Sequence, residues 1–481
     1  MQANEIKKLC KENPDKIVEL INALIESNIK LLNRVKELEN RLNKDSNNSN
    51  KPPSGDNIRS KLNRKTKKRK KKRKHGGQKG HKGSTLKAVS EPDHIQTHEL
   101  NTCSKCNHSL EDVNSKGYDK RQEFDIPPIV IEVIEHRAEI KICPCCGEEI
   151  KADFPNDITQ KTQYGKRIKA LAVYLNQYQL IPYKRTAEFF KDILNHTISQ
   201  GTINNFIRFA HNNLDDFENK IKECLINAKI VNFDETGTFI NKMLNWMHVA
   251  STPNLTFYGL HKNRGYDAMV DIGILSNFKG TAMHDFFRSY LKFNNCSHIF
   301  CNSHIFRELT EIHENYKEKW ALELGKLLLE IKTKVNTVRD INKNKKLNKY
   351  FLKKFEKLYD QILKKGFRKN PWKPKKNNQR GRPAQTKARN LLDRLRNNKS
   401  VVLAFMYDFK MPFTNNLAER DFRMVKVHQK ISNCFRSERG GKYFCRIRSY
   451  ISTLKKNHCS VIQEIENIFE KKSYIPDFIA E

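Results

Sequence analysis

Between residues 59 and 74 most side chains are Lys or Arg and none is acidic. Like charges at this density repel, and the run has almost nothing apolar to bury, so it cannot join a core. A Ser/Asn-rich stretch with Pro52-Pro53-Ser54 precedes it, and Gly76-Gly77-Gln78-Lys79-Gly80-His81-Lys82-Gly83 follows. Residues 45–89 are therefore expected to be a disordered basic linker. The linker separates residues 1–44 from the rest of the chain. Its densest part, Lys67, Lys68, Arg69, Lys70, Lys71, Lys72, Arg73 and Lys74, suits contacts to a nucleic-acid backbone.

The whole chain shares this bias. Its 481 residues carry a formal charge of +37. That excess opposes compaction unless a polyanion neutralises it, and double-stranded DNA is the expected partner. No apolar run reaches the ~18–20 residues that would span a bilayer, and the first twelve residues do not read as a secretory signal. The 12 cysteines include CxxC pairs, which favour metal binding in a reducing compartment over disulfides. A cytoplasmic, nucleoid-associated protein is expected.

Before the linker, Ile17, Leu24, Leu31 and Leu38 recur every seven residues, with Ile21, Asn28, Val35 and Leu42 at the complementary positions. This a/d seam predicts a coiled-coil helix over 1–44 and a homodimer or higher assembly, with Asn28 fixing register. A single helix packed on its own chain is the other reading.

After the linker, residues 90–155 hold Cys103-Ser104-Lys105-Cys106 and Cys143-Pro144-Cys145-Cys146. Two such knuckles present thiolates to one tetrahedral ion, so Cys103, Cys106, Cys143 and Cys146 are candidate ligands of a structural Zn²⁺ in a ribbon-like module. Cys145 could replace a neighbour. Residues 129–142 are rich in β-branched side chains and are expected to form a strand entering the second knuckle. Residues 156–226 read as a helical, helix-turn-helix-like DNA-binding domain, in which Ser199 would cap the second helix.

From residue 227 the texture changes to short strands: 230–233, 246–250, 256–260, 281–284 and 299–301. A helical insertion over 304–400 follows, then helices over 401–460 and a C-terminal tail over 461–481. Asp234 and Asp285 fall at strand tips, and Glu419 falls in a later helix. Two Asp on adjacent strands and one Glu on a packed helix suit a ribonuclease-H-like α/β catalytic domain. Convergent hard oxygens there can hold a pair of Mg²⁺ (or Mn²⁺) ions for phosphoryl transfer. The expected fold is thus a multidomain α/β chain. Glu235 and Asp408 are acidic near-misses. His304 and Arg307 lie three apart, suited to proton transfer and a phosphate contact, or else to a capped helix start around a buried Cys301. Asn416 and Arg420 flank Glu419, and Arg420 is a salt-bridge partner or a DNA contact.

These blocks, together with Cys301-Asn302-Ser303-His304-Ile305-Phe306-Arg307 and Asn415-Asn416-Leu417-Ala418-Glu419-Arg420, carry a family resemblance over nearly the whole chain. The chain resembles transposases of bacterial insertion sequences of the insertion-sequence-66 type, enzymes with an Asp-Asp-Glu triad. The resemblance implies metal-dependent strand cleavage and transfer at element ends and target DNA. It implies catalytic roles for Asp234, Asp285 and Glu419, and accessory proteins of the same element. Met283-His284-Asp285-Phe286-Phe287 departs from the family's usual apolar pair followed by Ser-Asp-Gly-Tyr. A non-catalytic zinc-containing DNA-binding regulator and a ribonuclease-H-like nuclease that does not join strands remain the alternatives.

Overall fold

A computed structural model describes residues 13–42, 44, 48, 85–127, 129–341, 346–374 and 383–476. The basic run at 67–74, with the flanking proline and glycine motifs, lies outside the described residues. Among the described residues no helix is long and apolar enough to cross a membrane.

The heptad segment forms one helix, Pro14–Leu42. Its seam is uncovered in the single chain, with Leu24, Leu31 and Leu42 at 62%, 60% and 75% exposure. The cysteine region forms a small ribbon, β1 (Ile140–Ile142) paired antiparallel with β2 (Glu149–Lys151). The expected longer strand from residue 129 does not form. Only Ile140–Ile142 pair in the ribbon, with one further bond from Ala152 N to Glu139 O, and Val130 and Val133 stay exposed.

The main sheet has five strands: β3 (Ile230–Ile240), β4 (Met243–Ser251), β5 (Thr256–His261), β6 (Thr281–His284) and β7 (Ser297–Phe300). Their spatial order is β5-β4-β3-β6-β7. The first three form an antiparallel meander, while β6 and β7 run parallel to β3. Asn241 and Lys242 alone turn β3 into β4, with φ of 46° and 64°. That left-handed geometry matches strand twist in a two-residue hairpin.

Helices cover both faces. On one face Val231, Phe233, Ala250, Phe257 and Ala282 share a core with the helices Lys166–Val173, Tyr183–Leu194, Gln200–Asn212, Asp215–Ile226, Glu438–Lys456 and Val461–Phe469. The helices expected as a separate DNA-binding domain therefore rest directly on the sheet. The segment expected as a tail begins with a packed helix whose Ile465 and Ile468 are fully buried. On the other face Met247, Val249 and Tyr258 meet Ala418, Phe422 and Val425 of the Asn416–Ser432 helix.

β5 is an edge strand, but its backbone is not left open. Tyr258 N donates to Ser449 Oγ (2.8 Å), and Thr256 N donates to Thr453 Oγ1 (3.2 Å). These hydroxyls lie four apart on one face of the Glu438–Lys456 helix.

The insertion has its own core, built from helices Asn302–Tyr316, Lys319–Ile341, Lys349–Lys369 and Lys387–Asn397, with Trp320, Phe355, Tyr359 and Leu392 at its centre. What the sequence offers as one long helix breaks at Lys317, whose φ is 55°. Gly366 lies inside the Lys349–Lys369 helix, where that helix crosses Lys387–Asn397. A Cβ at Gly366 would sit 2.6 Å from Leu392 Cδ2.

The entry to β6 is equally tight. A Cβ on Gly280 would lie 2.5 Å from Ala228 O and 2.6 Å from Lys229 O. These two successive backbone carbonyls cannot yield as a flexible side chain could. Gly280→Ala is therefore expected to destabilise the fold by about 1–3 kcal/mol, the usual cost of overpacking, measured by urea unfolding. An unchanged midpoint would refute this reading of the β3–β6 approach.

Candidate active site and metal centres

Asp234 lies on β3 opposite Val249, and Asp285 directly follows the last residue of β6. The parallel register pairs Asn232 with Met283. Continued by two residues, it sets Asp234 and Asp285 side by side on one face. Glu419 stands in the first turn of the Asn416–Ser432 helix, which packs on that sheet. Burial, and then the neighbouring carboxylates of Glu235, Asp285 and Glu419, hold the Asp234 carboxyl well above the usual carboxylate range. Glu419 Oε1 is buried without a hydrogen-bond partner. Carboxylates that repel one another, one with an orphaned buried oxygen, form a set that a cation would neutralise. Divalent cations fit these residues.

What holds the helix to the strand is Asn415, which the sequence reading passed over in favour of Asn416. Asn415 is buried, with 1% exposure. Its Nδ2 donates to Phe233 O (2.7 Å), its Oδ1 accepts from Asn232 Nδ2 (2.8 Å), and its backbone N donates to Cys301 Sγ (3.2 Å). One amide thus joins β3, the start of the Glu419 helix and the end of β7. No local pattern marks it, because its partners lie far away in sequence. Asn416 and Arg420 are exposed on the same helix, and Arg420 makes no ion pair among the described residues.

Glu235 is buried and committed elsewhere. Arg264 donates to its Oε1 (Nε at 2.8 Å), and Tyr290 OH donates to its Oε2 (2.5 Å). Arg264 also lies over the rings of Trp246 and Phe287. Neither arginine nor tyrosine was singled out from the sequence. Asp408 accepts from Lys410 N in a local turn. Asp285 Oδ1 accepts from Phe287 N at 2.8 Å, which fixes the carboxylate at the strand tip.

His304 and Arg307 do share one helix face, as their spacing implied. Arg307 donates to His304 Nε2 at 3.3 Å. A guanidinium cannot accept, so the neutral ring carries its proton on Nδ1, which lies 3.9 Å from Glu419 Oε1. Burial, and then the Arg307 charge, push the His304 pKa down and favour that neutral form.

In the cysteine module each knuckle is built locally. Asn107 N donates to Cys103 O, and Gly147 N donates to Cys143 O, both at 2.9 Å. Both donor residues have left-handed φ, 54° and 73°. Backbone N–H groups of Lys105 and Cys106 lower the Cys103 pKa, and those of Cys146 and Cys145 lower that of Cys143. The Cys143 thiol also meets the Cys146 side chain, while Cys145 and Cys146 are both exposed. Paired, activated thiols suit a thiophilic ion.

Replacing Asn415 with Ala leaves the Asn232 amide and Phe233 carbonyl buried without this partner. A loss of about 2–3 kcal/mol is expected by thermal or chemical unfolding. A loss below about 0.5 kcal/mol, the range of a neutral surface change, would mean that apolar packing alone holds the helix.

Comparison with known proteins fits this arrangement. Residues 101–147 match the zinc-finger binding domain of transposase IS66, and residues 3–87 match a family of unknown function. None of the curated proteins compared gives a match. Residues 161–443, which carry the whole sheet and all three carboxylates, match the transposase IS66 family. That match spans more than half of the chain, and the protein belongs to the transposase IS66 family.

Proposed function

We infer that this transposase cuts and joins DNA at the ends of an insertion sequence by Asp-Asp-Glu chemistry. The observation that carries the reading is the convergence of Asp234, Asp285 and Glu419 from two adjacent parallel strands and one packed helix. An antiparallel meander of three strands, extended by two parallel strands beside the first, supports a ribonuclease-H-like catalytic domain. Asp234, Asp285 and Glu419 would hold Mg²⁺ or Mn²⁺, for which carboxylate oxygens are suited. Such ions, when bound, lower the charge at the phosphate and stabilise the attacking and leaving oxygens.

The remaining work falls to the chain itself. Asn415 fixes Glu419 against β3. The ion pair of buried Glu235 with half-exposed Arg264 keeps the neighbouring acid from competing as a ligand. Arg307 sits where a guanidinium can meet a phosphate oxygen, and His304, neutral, can pass a proton. Arg420 and Asn416 present polar groups on the exposed face of the same helix. On the Gln200–Asn212 helix, Gln200, Asn204, Asn205 and Arg208 face solvent, which suits a groove-reading role. The run from Lys67 to Lys74 (Lys67, Lys68, Arg69, Lys70, Lys71, Lys72, Arg73, Lys74) would supply salt-dependent contacts to phosphates. The uncovered seam of the Pro14–Leu42 helix would pair two copies, and sedimentation without residues 1–44 tests that pairing.

On DNA carrying candidate element ends, Asp234→Asn, Asp285→Asn and Glu419→Gln are expected to abolish cleavage and joining while leaving DNA binding and its salt dependence intact. Mapping of cleaved and joined strands reads this out. Cleavage without joining would instead mark a nuclease, and retained activity in Asp285→Asn would remove it from the ligand set. In metal-free protein Asp234→Asn should also raise the melting temperature, because it removes one of several crowded acids.

One structural Zn²⁺ per chain is assigned to Cys103, Cys106, Cys143 and Cys146. Metal analysis of full-length variants is expected to show zinc lost in Cys146→Ser and kept in Cys145→Ser. The reverse would move the fourth ligand to Cys145.

A further inference from the structure

Beside the carboxylates lies a group of donors with different chemistry. Cys301 caps the Asn302–Tyr316 helix, His304 stands in its first turn, and Glu419 reaches across from the neighbouring helix. One ligand atom from each lies within 4.8 Å of the others. Cys301 is fully buried. His304 Nδ1 and Glu419 Oε1 are themselves buried, and neither has a hydrogen-bond partner. Buried polar atoms rarely go unpaired. At 3.9 Å the two are too far apart to bond each other. Ligands of a tetrahedral ion with bonds of about 2.0–2.3 Å stand only slightly closer together than that.

We propose that Cys301, His304 and Glu419 bind a thiophilic divalent cation of the zinc class, and that filling this site draws Glu419 away from the Asp234–Asp285 pair. Sulfur and imidazole select such an ion over Mg²⁺. Three protein ligands leave an open position for water. The thiol proton leaves to solvent as the Cys301 sulfur coordinates. The backbone N–H of Asn415, already 3.2 Å from that sulfur, supports the thiolate. At His304 the ring proton moves from Nδ1 to Nε2. Nε2–H then opposes the Arg307 guanidinium, also a donor, so Arg307 turns away. The filled site thus changes two groups near the carboxylates at once: Glu419 and Arg307. The binding claim stands on the geometry alone; the competition claim rests on the catalytic reading of Glu419.

The test uses the full-length chain, already loaded with its structural zinc, titrated with Co²⁺. One further equivalent is expected, with visible d–d bands and a thiolate-to-cobalt charge-transfer band. An ion held only by Asp234, Asp285 and Glu419 would lack the charge-transfer band. Cys301→Ser should remove it and weaken binding by more than the roughly 10–100-fold that loss of an outer-shell partner costs. Because Cys301 is buried, His304→Gln serves as a second variant and should weaken binding likewise, with circular dichroism confirming the fold of both. A wild-type chain without the charge-transfer band, or a band that persists in both variants, overturns the site. For competition, Zn²⁺ is added to Mg²⁺-supported cleavage, and each protein is compared with its own rate without Zn²⁺. Wild type should slow by roughly tenfold or more and Cys301→Ser much less. Equal slowing overturns the competition. If Mg²⁺ supports no cleavage at all, the proposed function and the competition that rests on it both fail, while the cobalt spectrum still decides the site.

Discussion

The buried side chain of Asn415 is the joint on which the acidic site depends. It spends its donor on Phe233 O and its acceptor on Asn232 Nδ2, so the amide is satisfied on both sides. Those partners belong to the strand of Asp234, and Asn415 itself starts the helix of Glu419. Without such a joint the crowded carboxylates would push strand and helix apart, since Asp234 already feels three other acids. Apolar contacts of Phe422 and Val425 press the helix on the sheet, but they are non-directional. The hydrogen bonds supply the register that apolar contact cannot.

The sheet around this joint is protected in two ways. On one side, Ser449 and Thr453 hydroxyls occupy the backbone donors of the β5 edge. On the other, the core of the insertion begins at Phe300, the last residue of β7, so the second module is anchored where the first ends. Asp234 and Glu235 lie within β3, and Asp285 directly follows β6. The paired Glu235 shows how the fold separates its acids. The acid that receives an arginine and a tyrosine is buried as structure, and the one beside it, Asp234, accepts only from the Glu235 backbone N–H among the described residues.

Much of this was legible in sequence because it is local. Short runs set off by turn residues marked all five strands of the sheet, though β3 extends well beyond the expected 230–233, seven-residue spacing marked the Pro14–Leu42 helix, and Ser199 accepts from Thr202 N as a cap should. Asp285 does follow the end of β6, but Asp234, expected at a strand tip, lies within β3, because that strand runs on to Ile240 in its hairpin with β4. Other features were hidden because they belong to distant pairs. Asn415 looks like any helix-start amide until its partner on β3 is known. Gly366 reads as a breaker, yet it is a crossing point against Leu392. Residues 129–138 have strand composition but no partner to pair with, so composition alone misled. The Val461–Phe469 helix lies in the expected C-terminal tail, and only the distant core that it closes gives it meaning.

The separation of the joint's two halves also has a temporal side. Asn232 and Asn415 are 183 residues apart. At about 5–20 residues per second of synthesis, the strand leaves the ribosome roughly 10–40 s before the residue that completes it. Throughout that interval the nascent chain holds Asp234 and then Asp285 without Glu419, and a chain cut short anywhere in the insertion never acquires the third acid. Only a molecule translated through its whole insertion can close the acidic cluster.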